Sequence, residues 1–246
     1  MNSLAGRRAL VTGASRGIGA GIALALADAG ADVAITYERS VDRAAAVVGA
    51  IEAKGRRGLA IQADSADPAA VKRSVDEAAL GLGGLDILVN NAGIADFGPL
   101  ADLPLERIDA LLNVNVRAVV LAAQAAIPHL GRGGRIISIG SSLGAQVPAA
   151  GLTMYSLTKS ALVSFTRGLA RDLGPRGITV NLVQPGPIDT DMNPADGEMA
   201  QMIIPHTPLG RYGRPEDIAA AVAFLAGPSA GFMTGSAMTV DGGYNA

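Results

Sequence analysis

The sequence predicts an α/β fold: a doubly wound parallel sheet of seven strands with helices on both faces. Two observations predict it. Short apolar runs alternate with longer segments of helical period along the whole chain. Such alternation implies parallel strands joined by right-handed crossovers. The short runs are apolar throughout rather than at every second residue, as strands buried on both faces require.

Ala9-Leu10-Val11 reads as the first strand, and the helix Ile18 to Ala29 follows with Gly30 placed to end it. Asp32 to Thr36 is a second strand. Ser40 stands where it would cap a helix running to about Lys54, with Gly55 as the stop. Leu59-Ala60-Ile61 is a third strand, and Asp67-Pro68 joins an N-cap to a first-turn proline. Asp86 to Asn90 is the fourth strand, after which Pro104 opens a long helix to about Leu130. Arg135 to Gly140, Ile178 to Val183 and Ala237 to Val240 complete the strands. Helices from about Thr153 to Leu173 and from Pro215-Glu216-Asp217 onward separate them. No linker, low-complexity segment or repeat interrupts the pattern, so residues 1–246 read as a single domain. The longest aperiodic stretch, Pro185 to Arg214, holds five prolines. A loop of that length in a compact domain is more often functional than passive.

Composition excludes several classes of function. Lysine plus arginine number 20 and aspartate plus glutamate 22, a net charge of −2. No basic excess favours nucleic acid or an anionic membrane surface. There is no cysteine, which rules out disulfides, thiolate metal sites and a cysteine nucleophile. Met1 to Arg8 carry no apolar signal core. Val116 to Ile127, with Arg117 and Gln124, is too short to span a bilayer. A cytoplasmic protein is expected. His129 and His206 are the only histidines, too few for a recognisable zinc cluster, so no metal is expected.

The turn Thr12-Gly13-Ala14-Ser15-Arg16-Gly17-Ile18-Gly19 lies between the first strand and the first helix. Its glycines let the backbone approach a pyrophosphate, and the helix N-terminus offers free N–H groups and a positive dipole end. The spacing G-x-x-x-G-x-G departs from the common dinucleotide fingerprint G-x-G-x-x-G. A strand–turn–helix of this kind at the head of an alternating chain is the Rossmann type of fold.

The chain resembles the short-chain dehydrogenase/reductase family in this T-G-x-x-x-G-x-G turn and in four further motifs. Asn90-Asn91-Ala92-Gly93 matches the family's N-N-A-G, and Tyr155-Ser156-Leu157-Thr158-Lys159 its Y-x-x-x-K. Pro185-Gly186 matches its P-G, and Asp241-Gly242-Gly243 its C-terminal signature. The motifs fall in order across essentially the whole chain.

Tyr155 and Lys159 are four residues apart, hence on one helix face. An unperturbed tyrosine has a pKa of ~10. A neighbouring ammonium favours the phenolate and lowers that value, giving a general acid for carbonyl reduction or a base for alcohol oxidation. The resemblance adds a serine at the end of the fifth strand that polarises the substrate carbonyl. Ser141 and Ser142 compete for that role. Spacing to the tyrosine points to Ser142, whereas Ser141 directly follows Ile139-Gly140 and lies three before Gly144, as in the family's S-x-x-G. Strand register favours Ser141. The resemblance also assigns Asn115 to a water that links Lys159 to solvent. The expected catalytic set is Asn115, Ser141, Tyr155 and Lys159.

For the cofactor, the resemblance implies contacts from Gly13, Ser15, Arg16, Gly17, Ile18 and Gly19 in the turn. Tyr37, Arg39 and Ser40 lie after the second strand, and Asp64 and Ser65 after the third. Asn91, Ala92 and Gly93 follow the fourth strand. Tyr155, Lys159, Pro185, Gly186, Ile188 and Thr190 complete the set. An acidic side chain after the second strand holds the ribose 2′-OH, and a basic one accommodates a 2′-phosphate. Arg16 and Arg39 favour NADP(H) over NAD(H), and Glu38 argues the other way.

Within the family, T-G-A-S-R-G-I-G, L-V-N-N-A-G and R-G-I-T-V-N resemble the 3-oxoacyl-(acyl-carrier-protein) reductases. That resemblance implies an NADP-dependent reductase taking a ketone to a secondary alcohol, with an acyl carrier protein as possible carrier. Arg132 and Arg176 fall where that group meets its carrier. Residues 185–214 would form the substrate loop, with Ile203, Ile204 and Leu209 as an apolar lining. The resemblance also implies a homotetramer, built on the two long helices and the C-terminal strand region. Competing readings are an NAD-dependent alcohol or sugar dehydrogenase on the same fold, and a non-catalytic nucleotide-binding sensor.

Overall fold

The structure is a computed structural model that describes residues 3–246. The strands are β1 (Arg8–Val11), β2 (Asp32–Tyr37), β3 (Gly58–Gln62), β4 (Ile87–Asn90), β5 (Arg135–Ile139), β6 (Thr179–Pro185) and β7 (Ala237–Val240). All pair in parallel, in the order β3-β2-β1-β4-β5-β6-β7. This is the doubly wound, Rossmann-type sheet that the alternating sequence predicts. Strand order reverses between β1 and β4, and a crevice opens there beyond the carboxyl ends of the strands.

The helices are α1 (Gly17–Asp28), α2 (Val41–Ala53), α3 (Pro68–Leu82), α4 (Leu105–Leu112), α5 (Ala118–Ala126), α6 (Thr153–Leu173), α7 (Glu198–Ile203) and α8 (Pro215–Ala226). Ile22, Leu26, Ile51, Ile218, Val222 and Leu225 cover one face of the sheet from α1, α2 and α8. Val71, Val75, Ala122, Ala126 and Leu173 cover the other from α3, α5 and α6. Gly21 marks the crossing of α1 and α8, where an added Cβ would lie 3.1 Å from Pro215 Cβ.

Local signals account for most boundaries. Asp67 caps α3 by accepting from the Ala69 N–H at 2.8 Å. Gly30 ends the first helix at φ 103°, a left-handed backbone that glycine adopts without strain. Ser40 stands at the N-cap of α2, but its side chain makes no capping bond.

Two expectations need correction. The long helix from Pro104 is not one regular helix. A π-helical turn, Asn113–Arg117, joins α4 to α5, and the run stops at Ala126. The continuous helical run Leu105–Ala126 is also long and apolar enough to cross a membrane by length and composition, unlike the shorter segment read from the sequence. Here Ala118, Ala122, Ala123 and Ala126 pack in the core instead. Second, residues 185–214 are not all loop. They contain α7 and a short 3-10 turn, Ile204–His206.

Candidate active site

The glycine turn is held open by side chains from neighbouring strands. Thr36 Oγ1 accepts from the Gly13 N–H at 2.9 Å. Thr12 Oγ1 accepts from the N–H groups of Asn91 and Ala92, both at 3.0 Å. The Asn91 amide donates to the Thr12 and Gly13 carbonyls at 2.9 and 3.0 Å. These bonds lock the ends of β1 and β4 together across the crevice. Gly13 has φ 62°, and a Cβ there would sit 2.8 Å from Ala92 Cα. At Gly19 a Cβ would come within 2.4 Å of Asn91 Nδ2. Thr12 is read from the sequence only as the first residue of the turn and Thr36 only as the end of the second strand, since nothing local marks their hydroxyls as partners of the turn's backbone.

The residues present fit a dinucleotide. Gly17 opens α1 at φ 56°, no acidic residue lies in the first turn, and the Arg16 side chain does not cap it. The first N–H groups of α1 are therefore suited to a pyrophosphate. Ser15, Ile18 and Gly19 belong to the same turn. Tyr37 ends β2, with Arg39 and Ser40 beyond it, and Asp64 and Ser65 follow β3. Gly93 follows β4, and Pro185 ends β6, with Gly186, Ile188 and Thr190 following. Thus every expected cofactor contact lies at the carboxyl ends of the strands or, for Tyr155 and Lys159, on α6 beside them. Thr190 reaches the turn itself: a Cβ on Gly17 would lie 3.4 Å from Thr190 Cγ2.

The expected catalytic side chains also converge. Ser141 lies in extended backbone just after β5, and the half-buried Tyr155 lies in the first turn of α6. Ser141 Oγ accepts from the Leu143 N–H at 3.1 Å. Ser142 is buried, and its carbonyl accepts from the Asn245 amide at 2.7 Å. Lys159 lies one turn along α6, with Nζ 5.7 Å from the centre of the Tyr155 ring and 3.2 Å from the Ile139 carbonyl it donates to. Phe97 packs edge-on against Tyr155 with ring centres 5.5 Å apart. Asn115 is 1% exposed inside the π-helical turn and bonds the backbone of Ile94 and the hydroxyl of Thr158.

The electrostatics depart from the sequence reading. Burial pushes the Tyr155 phenol above its ordinary value, and the Ser141 hydrogen bond only partly opposes that. Lys159 does not pull it below. Burial instead pushes the Lys159 ammonium down to about 8, with no carboxylate to hold it charged.

The remaining sequence candidates lie elsewhere. His129 pairs with Asp76 at 2.8 Å on an exposed surface, and His206 lies in the 3-10 turn. No group of three His, Cys, Asp or Glu side chains suited to a metal occurs among the described residues. Arg176 donates to the carbonyls of Ile127 and Leu130 at 2.9 and 2.7 Å, which closes the end of α5. Arg132 and Arg176 precede β5 and β6. They therefore stand at the opposite end of the strands from Tyr155 and do not flank the mouth of their own subunit's site.

The chain matches the family described as enoyl-(acyl carrier protein) reductase over residues 13–245. It belongs to the short-chain dehydrogenase/reductase family of oxidoreductases. A short-chain dehydrogenase from Burkholderia cenocepacia, crystallised with NADP, superposes with a TM-score of 0.98 at 61% identity, over 99% of this chain and all of that one. A cyclic-di-GMP-binding biofilm dispersal mediator protein from Escherichia coli is 45% identical over the full length of both. A 3-oxoacyl-[acyl-carrier-protein] reductase from Staphylococcus aureus is 43% identical over 96% of this chain and 97% of its own. In this short-chain dehydrogenase/reductase, the sequence motifs and the converging side chains describe one crevice.

Proposed function

We propose that this oxidoreductase reduces a ketone to a secondary alcohol with NADPH, using Ser141, Tyr155 and Lys159 at the carboxyl end of β5. The observation that carries the reading is the stacking of Lys159 one turn along α6 from Tyr155, its Nζ 5.7 Å from the phenol ring, with Ser141 just after the end of β5. Bound NADPH would supply the hydride. The Leu143 N–H occupies a lone pair of Ser141, so the serine proton is left to donate. A substrate carbonyl oxygen then accepts from Ser141 and Tyr155 together. Tyr155, with its pKa raised, holds its proton until charge builds on that oxygen, then transfers it. The Lys159 ammonium steadies the phenolate left behind. Asn115 positions the backbone beside Lys159, and a water carried there would return the proton.

NADP is favoured over NAD by Arg16 at the glycine turn and by the neutralisation of Glu38. Glu38 Oε1 lies 2.8 Å from Arg39 Nε, which removes much of its objection to a phosphate. The NADP-bound Burkholderia relative supports the same choice. The whole chain would act as one dinucleotide-binding and catalytic domain in the cytoplasm, with 185–214 as the substrate loop. Exposed Phe97, Val147, Met192, Met202 and Leu209 favour an apolar ketone or acyl thioester. A homotetramer would bury the free faces of the long helices and the edge strand β7.

The similarity to a cyclic-di-GMP-binding protein favours one other reading, a nucleotide binder without turnover. Initial rates at 340 nm with NADPH and NADH, using an acetoacetyl thioester and a ketone panel, separate the two. NADPH-dependent reduction of thioester or ketone is the expected result. Tight NADPH or cyclic dinucleotide binding with no reduction of any of them favours the binder.

A further inference from the structure

One peptide unit joins the serine of the crevice to a residue far along the chain. The Leu143 N–H donates to Ser141 Oγ at 3.1 Å. The carbonyl of that same unit, on Ser142, accepts from Asn245 Nδ2 at 2.7 Å. A trans peptide is planar, and its N–H and C=O point in opposite directions. Asn245 therefore holds one side of the plane, and Ser141 takes the hydrogen bond from the other. A bond accepted by the carbonyl also polarises the unit and strengthens its N–H as a donor. The Ser142 carbonyl accepts from the N–H groups of Ala145 and Gln146 as well, at 3.0 and 3.2 Å. The bond from Asn245 is the shortest of the three.

Asn245 is itself held in place. It follows β7 in a turn folded around Asp241. Asp241 Oδ1 accepts from the Gly243 N–H at 2.9 Å, and Oδ2 from the Asn245 N–H at 3.0 Å. Asp241 packs backbone to backbone on the end of β6, where a Cβ on Gly186 would lie 2.5 Å from Asp241 Cα. The Gly242 carbonyl accepts from the Leu209 N–H at 3.1 Å, which ties this turn to the trailing end of residues 185–214. Asn245 Oδ1, by contrast, is buried with no hydrogen-bond partner among the described residues. A buried acceptor left unpaired costs stability. Asparagine is a poor choice here for stability alone and a good one for a donor.

We propose that Asn245 is a positioning residue for Ser141, acting through the Ser142–Leu143 peptide to aim the serine hydroxyl at the substrate carbonyl. This rests on the catalytic reading of Ser141 above. With the Leu143 N–H on its oxygen, Ser141 presents its proton outward, to the carbonyl oxygen that Tyr155 protonates. If the peptide plane tilts, that oxygen loses its fixed partner and the proton turns to other acceptors. Asn245 does not touch the substrate. Its effect is confined to how well the serine donor is aimed.

The test is steady-state reduction with NADPH of the best substrate of the thioester and ketone panel above, by variants in two backgrounds. Asn245→Leu keeps the approximate shape of the side chain, loses the donor and removes the stranded acceptor. Its kcat should fall about three- to tenfold, the contribution of one such hydrogen bond, with KM for NADPH near wild type. Its unfolding temperature should not fall, because the Ser142 carbonyl keeps two backbone donors. The smaller variant Asn245→Ala should lose kcat to the same extent. In a Ser141→Ala background, Asn245→Leu should change kcat by less than about twofold, because the group it aims is gone. Equal losses in both backgrounds would overturn the proposal and make Asn245 a general support of the fold. Wild-type kcat in Asn245→Leu would overturn it too, since shape without the donor would then suffice. If Ser141→Ala itself retained full kcat, the serine reading would fail first, and the positioning role with it.

Discussion

Asn115 holds the backbone of Ile94 by both of its polar groups: Oδ1 accepts from the Ile94 N–H and Nδ2 donates to its carbonyl, each at 2.9 Å. A third bond runs from Nδ2 to Thr158 Oγ1 at 3.2 Å. The π-helical turn Asn113–Arg117 turns this side chain inward, and π turns of this kind are often found at functional sites. The strand end that carries Asn91 and Gly93 is thereby tied to the helix that carries Lys159. A Cβ on Gly93 would sit 3.3 Å from Asn115 Oδ1 and 3.4 Å from Lys159 Nζ, so all three groups meet at one point.

Asn115→Ala should therefore cost stability and turnover together. Each buried bond contributes about 0.5–1.5 kcal/mol, and the stranded Ile94 groups add desolvation cost. A loss of ~2–4 kcal/mol in urea unfolding is expected, with a lower kcat. A variant of wild-type stability would show that water takes over these bonds freely.

Lys159 makes stability depend on pH. Its ammonium sits at about 8 in the fold against an ordinary 10.5. Between those values the unfolded chain binds more protons, so this group makes stability rise with pH from about 8 to 10.5. Below pH 8 folding carries the whole cost of burying the charge, ~3 kcal/mol. Lys159→Met removes that cost but strands the Ile139 carbonyl, a penalty that does not change with pH. The stability of Lys159→Met relative to wild type should thus be most favourable at pH 7 and decline by pH 10. A difference equal at both pH values would refute the depressed ammonium.

Tyr155 and Ser141 have separable roles. Tyr155→Phe keeps the ring that packs on Phe97 but loses the proton, so kcat should fall roughly a hundred- to ten-thousandfold. Ser141→Ala removes one donor to the carbonyl oxygen and should lower kcat about a hundredfold or more. Ser142→Ala should leave kcat close to wild type. Cofactor binding should survive in all three. If Ser142→Ala is the inactive variant, the serine assignment is reversed.

The sheet was legible because most strands are largely apolar runs and the helices between them begin or end at a cap or a glycine, as at Asp67 and Gly30, although β6 also buries Asn181 and Gln184. The Tyr155–Lys159 pair was legible because helical periodicity stacks residues four apart. The π turn at Asn115 was not, since one extra residue per turn leaves the surrounding apolar pattern unbroken. The bond from Asn245 to Ser142 was illegible for another reason: the two lie 103 residues apart, and only the crossover of the chain brings them together. The same limit explains the tyrosine. Sequence spacing placed a cation beside the phenol, but burial of both groups, a tertiary property, decides the direction of each pKa. Arg132 and Arg176 stand at the carrier positions by resemblance alone; strand direction, which the sequence does not show for single residues, puts them at the end of the sheet away from Tyr155.

The glycines of the turn offer a contrast within one residue type. Gly13→Ala would place a Cβ 2.8 Å from Ala92 Cα at φ 62°. A cost of ~1–3 kcal/mol is expected, with weaker binding of NADPH and NADH alike because the turn itself moves. Gly49, exposed in the middle of α2, has nothing within 4 Å of an added Cβ. Gly49→Ala should stabilise by ~0.5–1 kcal/mol through helix propensity and leave cofactor binding unchanged. Thermal unfolding with and without NADPH reads both; a tolerated Gly13→Ala would mean the turn has room that its contacts deny.

Phe232 tests the assembly. It is fully exposed, in the turn that leads to β7. That strand is the edge of the sheet, with Ala237 and Thr239 facing outward. A bare parallel edge beside an exposed aromatic ring is a surface that a partner subunit covers well. Phe232→Asp places a charge there without disturbing the core, so the monomer should fold with an unchanged circular dichroism spectrum. For the homotetramer proposed above, sedimentation should show a fall to dimers, because the proposed long-helix interface through α4, α5 and α6 is untouched. An intact tetramer would exclude the β7 edge from the assembly. A fall all the way to monomers would mean that the long helices do not hold a pair by themselves.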